Sequence, residues 1–471
     1  MLHRAKRLIV QKVINKYPKL KEMLFPLYSK YVAWTTRREV QRRLKNLKPE
    51  RYYNFENAIR RNVIIVTVDC MRFKNTSQAG YFRDTTPFLS SLGKNYTAVS
   101  GAPWTYPSVP TILSGLYPTR HGAYIHSRKK YLDNLGHIKG IKQSVITLPE
   151  LLLHMGYDVY MATAIELSSF HFRKRVPYIR WYPGETRAEK ILGDFLKWVE
   201  GRRGKSFFAY LHLGDPHEPL NPPEEYWNYF GRVKRLRNIE TWDYTRLEDW
   251  EKPGFKEYVE NRVLLYDNTL RYVNDRLELF FDRLEKFGLS DDTLVVITAD
   301  HGEEFWEHAK TEAEYFYDTR KGTGYGHGHN VFREVAEVPV VLHGFSGLKE
   351  RKPISSTDIT PTILRELGVE PLFPLDGVPL QEREPRGRPI LIEASGYGYE
   401  KKALYLGDLK FLYAPDDNVR WIFNLKRDPW EENPITDREA VSIMERKLKS
   451  LLSKIQLEGT KRVGESETYA H

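Results

Sequence analysis

The chain has 471 residues, 41% hydrophobic and 29% charged, enough apolar material for a sizeable core and too much for wholesale disorder; its length allows one large domain or two to three smaller ones. No apolar run reaches the roughly 18 residues of a bilayer-spanning helix, and the single cysteine, Cys70, excludes an internal disulfide and a multi-cysteine zinc site. Residues 1–61 hold 17 Lys and Arg against 4 Asp and Glu, a net +13, while the whole chain is +11, so the remainder sums to −2.

Residues 1–61 form a basic N-terminal arm. The sequence predicts helical pieces broken at Pro18, Pro26 and Pro49, with Leu8, Ile9, Val13 and Ile14, then Leu20, Leu24 and Leu27, set among Lys and Arg. The leading reading is a helical hairpin packed on the body, its Lys and Arg merely solvated; the alternative is peripheral contact of residues 1–55 with an anionic membrane surface, which such a segment suits. No nucleic acid is expected. The apolar h-region and small-residue cleavage site of a secretory signal are missing. The expected location is therefore cytoplasmic, at the inner membrane surface.

From Asn62 the pattern alternates strand and helix. Val63–Val68, Phe207–Leu213, Leu294–Thr298 and Val338–Leu342 are short apolar runs, and Val259–Phe287 carries a helical period. This predicts an α/β catalytic domain over residues 62–384, with a mostly parallel central sheet sandwiched by helices. Ligands of such sheets gather at the carboxyl ends of the strands. Residues 219–257, rich in Trp, Tyr and Pro without a clear period, read as a long insertion that could lid a substrate. Residues 385–471 hold shorter runs (Pro389–Glu393, Leu404–Leu406, Phe411–Tyr413, Trp421–Asn424) and then Arg438–Leu457. They predict a small antiparallel subdomain with a terminal helix.

Five polar clusters could carry chemistry. Asp69 follows the first strand and is placed to bind a cation, although a strand-end Asp is as often a turn former or helix cap. Thr105 opens a helix, where free N–H groups and the positive dipole end favour an anion and an ionised nucleophile; the plain alternative is an N-cap. Asp300 and His301 can both reach one metal if the chain turns at Gly302. Asp215 and His217 lie on one loop, His327 and His329 on another. Each loop can present an imidazole to an oxyanion or second metal, or simply to solvent.

In this order the clusters resemble the sulfatase branch of the alkaline phosphatase superfamily, from about Asn62 to Asn433. The nucleophile pattern is Thr105, Pro107, Ser114-Gly115 and Tyr117–Gly122. Thr85–Leu89, Asp215–Pro219, Asp300–Gly302, His327–Glu334 with Val338-Pro339, Thr357–Thr362, Asp376-Gly377 and Phe423–Glu431 are similar to further family stretches. The resemblance implies an α/β sandwich with a smaller C-terminal sheet. It also implies a divalent metal (Zn, Mn, Ca or Mg) on Asp69, Thr105, Asp300 and His301. Thr105 would be nucleophile as well as ligand, with His217 and His327 holding ester oxygens or protonating the leaving group. Asp215, His217 and His329 are candidates for a second metal or the substrate.

The departures bear on the chemistry. True sulfatases carry Cys or Ser, oxidised to formylglycine, where Thr105 stands, and threonine would give a ketone at best. Val109 replaces the Arg expected four residues later. No carbohydrate-sulfatase Gly-Lys-Trp-His stretch follows Gly156-Tyr157. Cys70 stands where many relatives have a second carboxylate. The two-metal branch spaces Asp and His by four, but Asp215 has Pro219 at that offset and His217 at two. The expected function is a metal-dependent hydrolase of phosphate, phosphodiester or sulfate esters, acting on an anionic ester through a covalent Thr105 intermediate. The alternatives are a phosphoethanolamine- or phosphoglycerol-type head-group transferase at a membrane surface and a non-catalytic binding protein.

Overall fold

The computed structural model describes residues 18–129, 138–200, 202, 204–234, 250–320 and 322–467. Eight strands form the central sheet: β1 (Asn62–Val68), β2 (Lys94–Val99), β3 (Asp158–Thr163), β4 (Arg180–Trp181), β5 (Phe207–Leu213), β6 (Thr293–Thr298), β7 (Glu337–His343) and β8 (Ile354–Ser355). Their order is β8-β2-β7-β6-β1-β5-β3-β4. β1 lies between β6 and β5 in parallel register, Val63 opposite Leu294 and Phe208. Every residue of β1 is buried, which is why it reads as a continuous β-branched run rather than an alternation.

β7 is the one reversed strand, antiparallel to both β2 and β6. This geometry builds the site. β1, β5 and β6 end at one edge of the sheet, delivering residues 69, 214–217 and 300–301 there. β2 runs the same way and hands the chain to the helix at Thr105. Because β7 is reversed, it starts at that edge, so residues 327–336 arrive there too.

The helices that matter here are α1 (Pro18–Asn46), α2 (Thr105–Ser114), α3 (Ala188–Glu200), α4 (Phe255–Lys286) and α5 (Arg438–Glu467). The expected break at Pro26 does not occur, and α1 runs through it. An interior proline costs about 3 kcal/mol, and packing offsets it. The Tyr28 ring lies 5.6 Å from that of Trp181, and Trp181 N–H donates to Ser29 Oγ at 3.1 Å. Val32 and Val40 are buried. Arg43 pairs with the buried Glu150, which also accepts from Arg175 at 3.0 Å. Burial alone would raise the Glu150 carboxyl; the two guanidinium groups hold it below the usual range. The predicted apolar positions Leu8 to Ile14 lie outside the described residues.

The insertion at 219–257 is described except for 235–249. Its first part is tied to α4: the Tyr226 hydroxyl donates to Asp275 at 2.9 Å and Asn268 Nδ2 to the Trp227 carbonyl at 2.7 Å. Strands β9 (Ile390–Ile392), β10 (Lys402–Leu406), β11 (Leu409–Ala414) and β12 (Val419–Asn424) form an antiparallel sheet in chain order. Its alternation is clean. Leu391, Leu404, Phe411 and Ile422 pack under Met444, Leu448 and Ile455 of α5, while Ile392, Tyr405, Leu412 and Phe423 face Val331 and Phe332 of the body.

Candidate active site

Asp69, Thr105, Asp300 and His301 converge. Thr105 is the first residue of α2, so its hydroxyl sits at the positive end of that helix's dipole. Its Oγ1 lies 3.1 Å from His301 Nε2 and 3.4 Å from Asp69 Oδ2. His301 Nε2 is 3.6 Å from Asp69 Oδ1 and 3.4 Å from Asp300 Oδ2. All four residues are buried. The hydroxyls of Ser100 and Ser108 both donate to the Asp300 carbonyl and pin the turn. Gly302 is required beside it, since a Cβ there would lie 2.0 Å from the Glu334 carbonyl oxygen.

The protons can be assigned from partners. His301 Nδ1 faces the Gly302 carbonyl at 2.9 Å. A carbonyl only accepts, so Nδ1 carries the hydrogen. Burial pushes the His301 pKa down, and the neutral ring aims its Nε2 lone pair at the two carboxylates and Thr105. Asp300 is held above the usual carboxylate range by burial and by Asp69. Asp69 goes the other way: burial would raise it, but the hydrogen bond from His212 holds it well below the usual carboxylate range.

These residues fit a divalent cation. Both carboxylate oxygens of Asp300 are buried without a hydrogen-bond partner, an arrangement that costs free energy unless a cation completes it. The Asp69 carboxylate and the His301 imidazole offer ligand atoms close enough to share one ion. Carboxylate, imidazole and hydroxyl donors suit a hard or borderline metal.

His212 was not legible as a site residue. It sits inside β5, with Nε2 2.8 Å from Asp69 Oδ2 and Nδ1 2.7 Å from the Tyr210 hydroxyl. Toward an ionised carboxylate Nε2 must donate, so Tyr210 donates to Nδ1 and the pair orients Asp69. An imidazole within an otherwise apolar buried run was the available signal. Cys70 adopts φ of 60° and places Sγ 3.0 Å from Asp69 Oδ1 and 3.6 Å from His327 Nδ1. Burial and the charge of Glu303 push its thiol pKa well up, so it is not a standing thiolate.

His217 and His327 line the approach. Their rings are 5.4 Å apart, and His327 lies 4.2 Å from His301. His327 Nδ1 faces Glu303 Oε1 at 3.2 Å. His217 Nδ1 donates to the Glu218 carbonyl at 2.8 Å; burial would lower its pKa, but Asp69 and Glu303 raise it. A cavity of about 410 Å³ opens here, lined by both histidines with Arg320, Thr323, Tyr325 and Tyr397.

Asp215 and His329 do not join this cluster. His329 Nε2 lies 3.0 Å from Glu312 and 3.3 Å from Glu304, a buried knot in which the two carboxylates push its pKa up to about 9 against burial and Arg320. Asp215 caps α3, its Oδ1 accepting from Ala188 N–H at 3.1 Å. Burial pushes the Asp215 pKa up to about 7. A carboxyl raised on folding gives the native state the extra proton between about pH 4 and 7, so its contribution falls as pH rises through that window. Asp215→Asn keeps the acceptor and removes the charge. It should stabilise the protein by about 1–4 kcal/mol at pH 8 and by far less at pH 4, read from denaturant midpoints at each pH.

The sulfatase family model matches residues 61–369. The chain belongs to the sulfatase family. Membership places it among enzymes of sulfuric and phosphoric ester bonds, on an alkaline phosphatase-like fold whose members typically use a divalent metal. One relative is the low-salt glycan biosynthesis sulfotransferase Agl7 of Haloferax volcanii, 26% identical over 333 residues; the match covers 69% of this chain and 65% of that protein, under two thirds of its length. Another is an arylsulfatase of Clostridium perfringens, 21% identical, covering 84% and 94% of the two chains. Among solved structures, the phosphonate monoester hydrolase of Agrobacterium radiobacter superposes with a TM-score of 0.62 at 17% identity, covering 85% of this chain and 96% of that one.

Proposed function

We propose that this sulfatase-family protein is a metal-dependent hydrolase of anionic esters, phosphoric before sulfuric, with Thr105 as the nucleophile. The observation that carries the reading is the Thr105 hydroxyl at the start of α2, 3.1 Å from His301 Nε2 and 3.4 Å from Asp69. Phosphorus is preferred because a secondary alcohol cannot become the aldehyde hydrate on which sulfatase chemistry depends.

Asp69, Thr105, Asp300 and His301 would hold the cation. Once bound, it would lower the hydroxyl pKa and neutralise charge on the ester. Thr105 Oγ1 gives up its proton to solvent and attacks phosphorus, forming an O–P bond as the bond to the leaving oxygen breaks. His217 or His327, at the cavity, supplies the proton to that oxygen. Water then displaces Thr105 from the covalent intermediate. His212 keeps Asp69 oriented throughout.

Aryl phosphate mono- and diesters and aryl sulfate, each with Mn²⁺, Zn²⁺, Ca²⁺ or Mg²⁺, test the reading. Turnover of a phosphoric ester above that of the sulfate is expected, and no turnover of any ester would defeat it. A second reading is favoured by the relative named as a glycan-biosynthesis sulfotransferase: the intermediate passes to an acceptor alcohol instead of water. Faster release of the aryl group with added acceptor alcohols would support transfer; identical rates would remove it. The non-catalytic alternative would leave the purified protein without stoichiometric metal.

A further inference from the structure

We propose that the outward face of α1 seats this protein on an anionic lipid bilayer. The proposal does not depend on Thr105 and extends the reading above to where the enzyme works.

Leu27, Tyr31 and Trp34 are 60%, 60% and 73% exposed. Their spacing of four and then three places them on one stripe of the helix. The same stripe continues through Arg38 and Lys45, with Lys30, Arg37 and Arg42 beside it, all exposed. An apolar and aromatic half is thus followed by a cationic half on a single line.

The helix cannot hide this face by rolling. Its opposite side is fixed by buried Ser29, Val32 and Val40, by the Trp181 N–H bond to Ser29 and by the Arg43–Glu150 pair. A groove of about 1380 Å³ adjoins it, edged by Arg42, Lys48 and Arg51 and by Lys174, which pairs with Glu39 at 2.7 Å. Its charge matches a partner carrying many negative groups.

Charge alone would fit any polyanion. The apolar half selects among them. Trp and Tyr favour the bilayer interface, where the ring is apolar and its edge is wet. Leu27 gains free energy from acyl chains and nothing from a phosphodiester strand. Apolar insertion plus a basic patch is the pairing that makes surface attachment stable. No helix among the described residues is long and apolar enough to cross a membrane.

The test is flotation of the full chain with vesicles of phosphatidylcholine plus phosphatidylglycerol, and of phosphatidylcholine alone. The variants are Leu27→Ser/Tyr31→Ser/Trp34→Ser and Arg38→Gln/Lys45→Gln. All five side chains are exposed, so melting temperature and turnover of a soluble ester should stay at wild-type values. The wild type should float with the anionic vesicles and not the neutral ones. The triple variant should lose about tenfold or more in vesicle affinity, and the double variant should bind less tightly and with weaker salt dependence. The proposal is overturned if the triple variant floats like wild type, which would place any seat elsewhere, such as residues 1–17. It is equally overturned if neutral vesicles bind as well, if the stripe variants abolish nucleic-acid binding while vesicles are ignored, or if the triple variant converts a dimer to a monomer, which would make the face a self-contact. A chain inactive on every ester but floating as predicted would defeat the hydrolase reading and leave this one standing.

Discussion

Thr105→Ala should lower kcat on the best phosphoric ester by about 10⁴–10⁶-fold, the loss typical of removing a nucleophile that acts as one unit with its activating groups. The physical reason is specific to this position. The Thr105 oxygen is one of several atoms aimed at a common point, with Asp69, Asp300 and His301 supplying the rest. Alanine removes the attacking atom and leaves the other donors in place. Bound metal should therefore persist at near wild-type stoichiometry while turnover disappears. Thr105→Ser restores an alcohol at the same helix position and should recover activity to within about a hundredfold of wild type. Rapid-quench turnover and metal analysis on the same samples separate the two roles. Equal turnover in wild type and Thr105→Ala would remove Thr105 from the chemistry.

Asp300→Asn should act in two directions at once. Both Asp300 carboxylate oxygens are buried without a hydrogen-bond partner, and burial with the neighbouring Asp69 charge pushes the carboxyl up. Without a cation the charge is a liability; with one it is a ligand. The substitution should abolish stoichiometric metal binding and cut turnover by about 10³-fold or more, since a Lewis acid contributes several kcal/mol to such transition states. In chelated protein the same change should stabilise the fold by about 1–3 kcal/mol, because a neutral amide replaces an unpaired buried charge. Its N–H group would find acceptors in His301 Nε2 and Asp69. Denaturant unfolding with and without chelator, alongside metal content, reads both effects. A chelated variant less stable than chelated wild type, still holding metal, would mean that Asp300 is a structural carboxylate.

Much of this architecture was legible because it is written in short-range patterns. β5 is found at its predicted bounds, and β1, β6 and β7 differ by a residue at one or both ends, since strands buried on both faces leave unbroken apolar runs. Lys94–Val99 and Asp158–Thr163 were not singled out, as their mixed polar starts mask the alternation. The chemistry at residues 69, 105, 300 and 301 could be read from its place after strands and before a helix. His212 could not: nothing local tells an imidazole packed in a core from one orienting a carboxylate 143 residues away. Asp215 and His329 sit on the right loops, but side-chain direction sends one to a helix cap and the other into the Glu304–Glu312 knot. Pro26 misled for a related reason, because long-range packing of α1 overrides a local helix breaker.

The most direct measurement is a crystal structure of the metal-loaded protein soaked with vanadate. The predicted result is vanadium bonded to Thr105 Oγ1, one cation coordinated by Asp69, Asp300 and His301, and His217 and His327 facing the vanadate oxygens. Vanadate bound away from Thr105, or a Thr105 hydroxyl turned from the Asp69–Asp300 pair with the cation elsewhere, would contradict it.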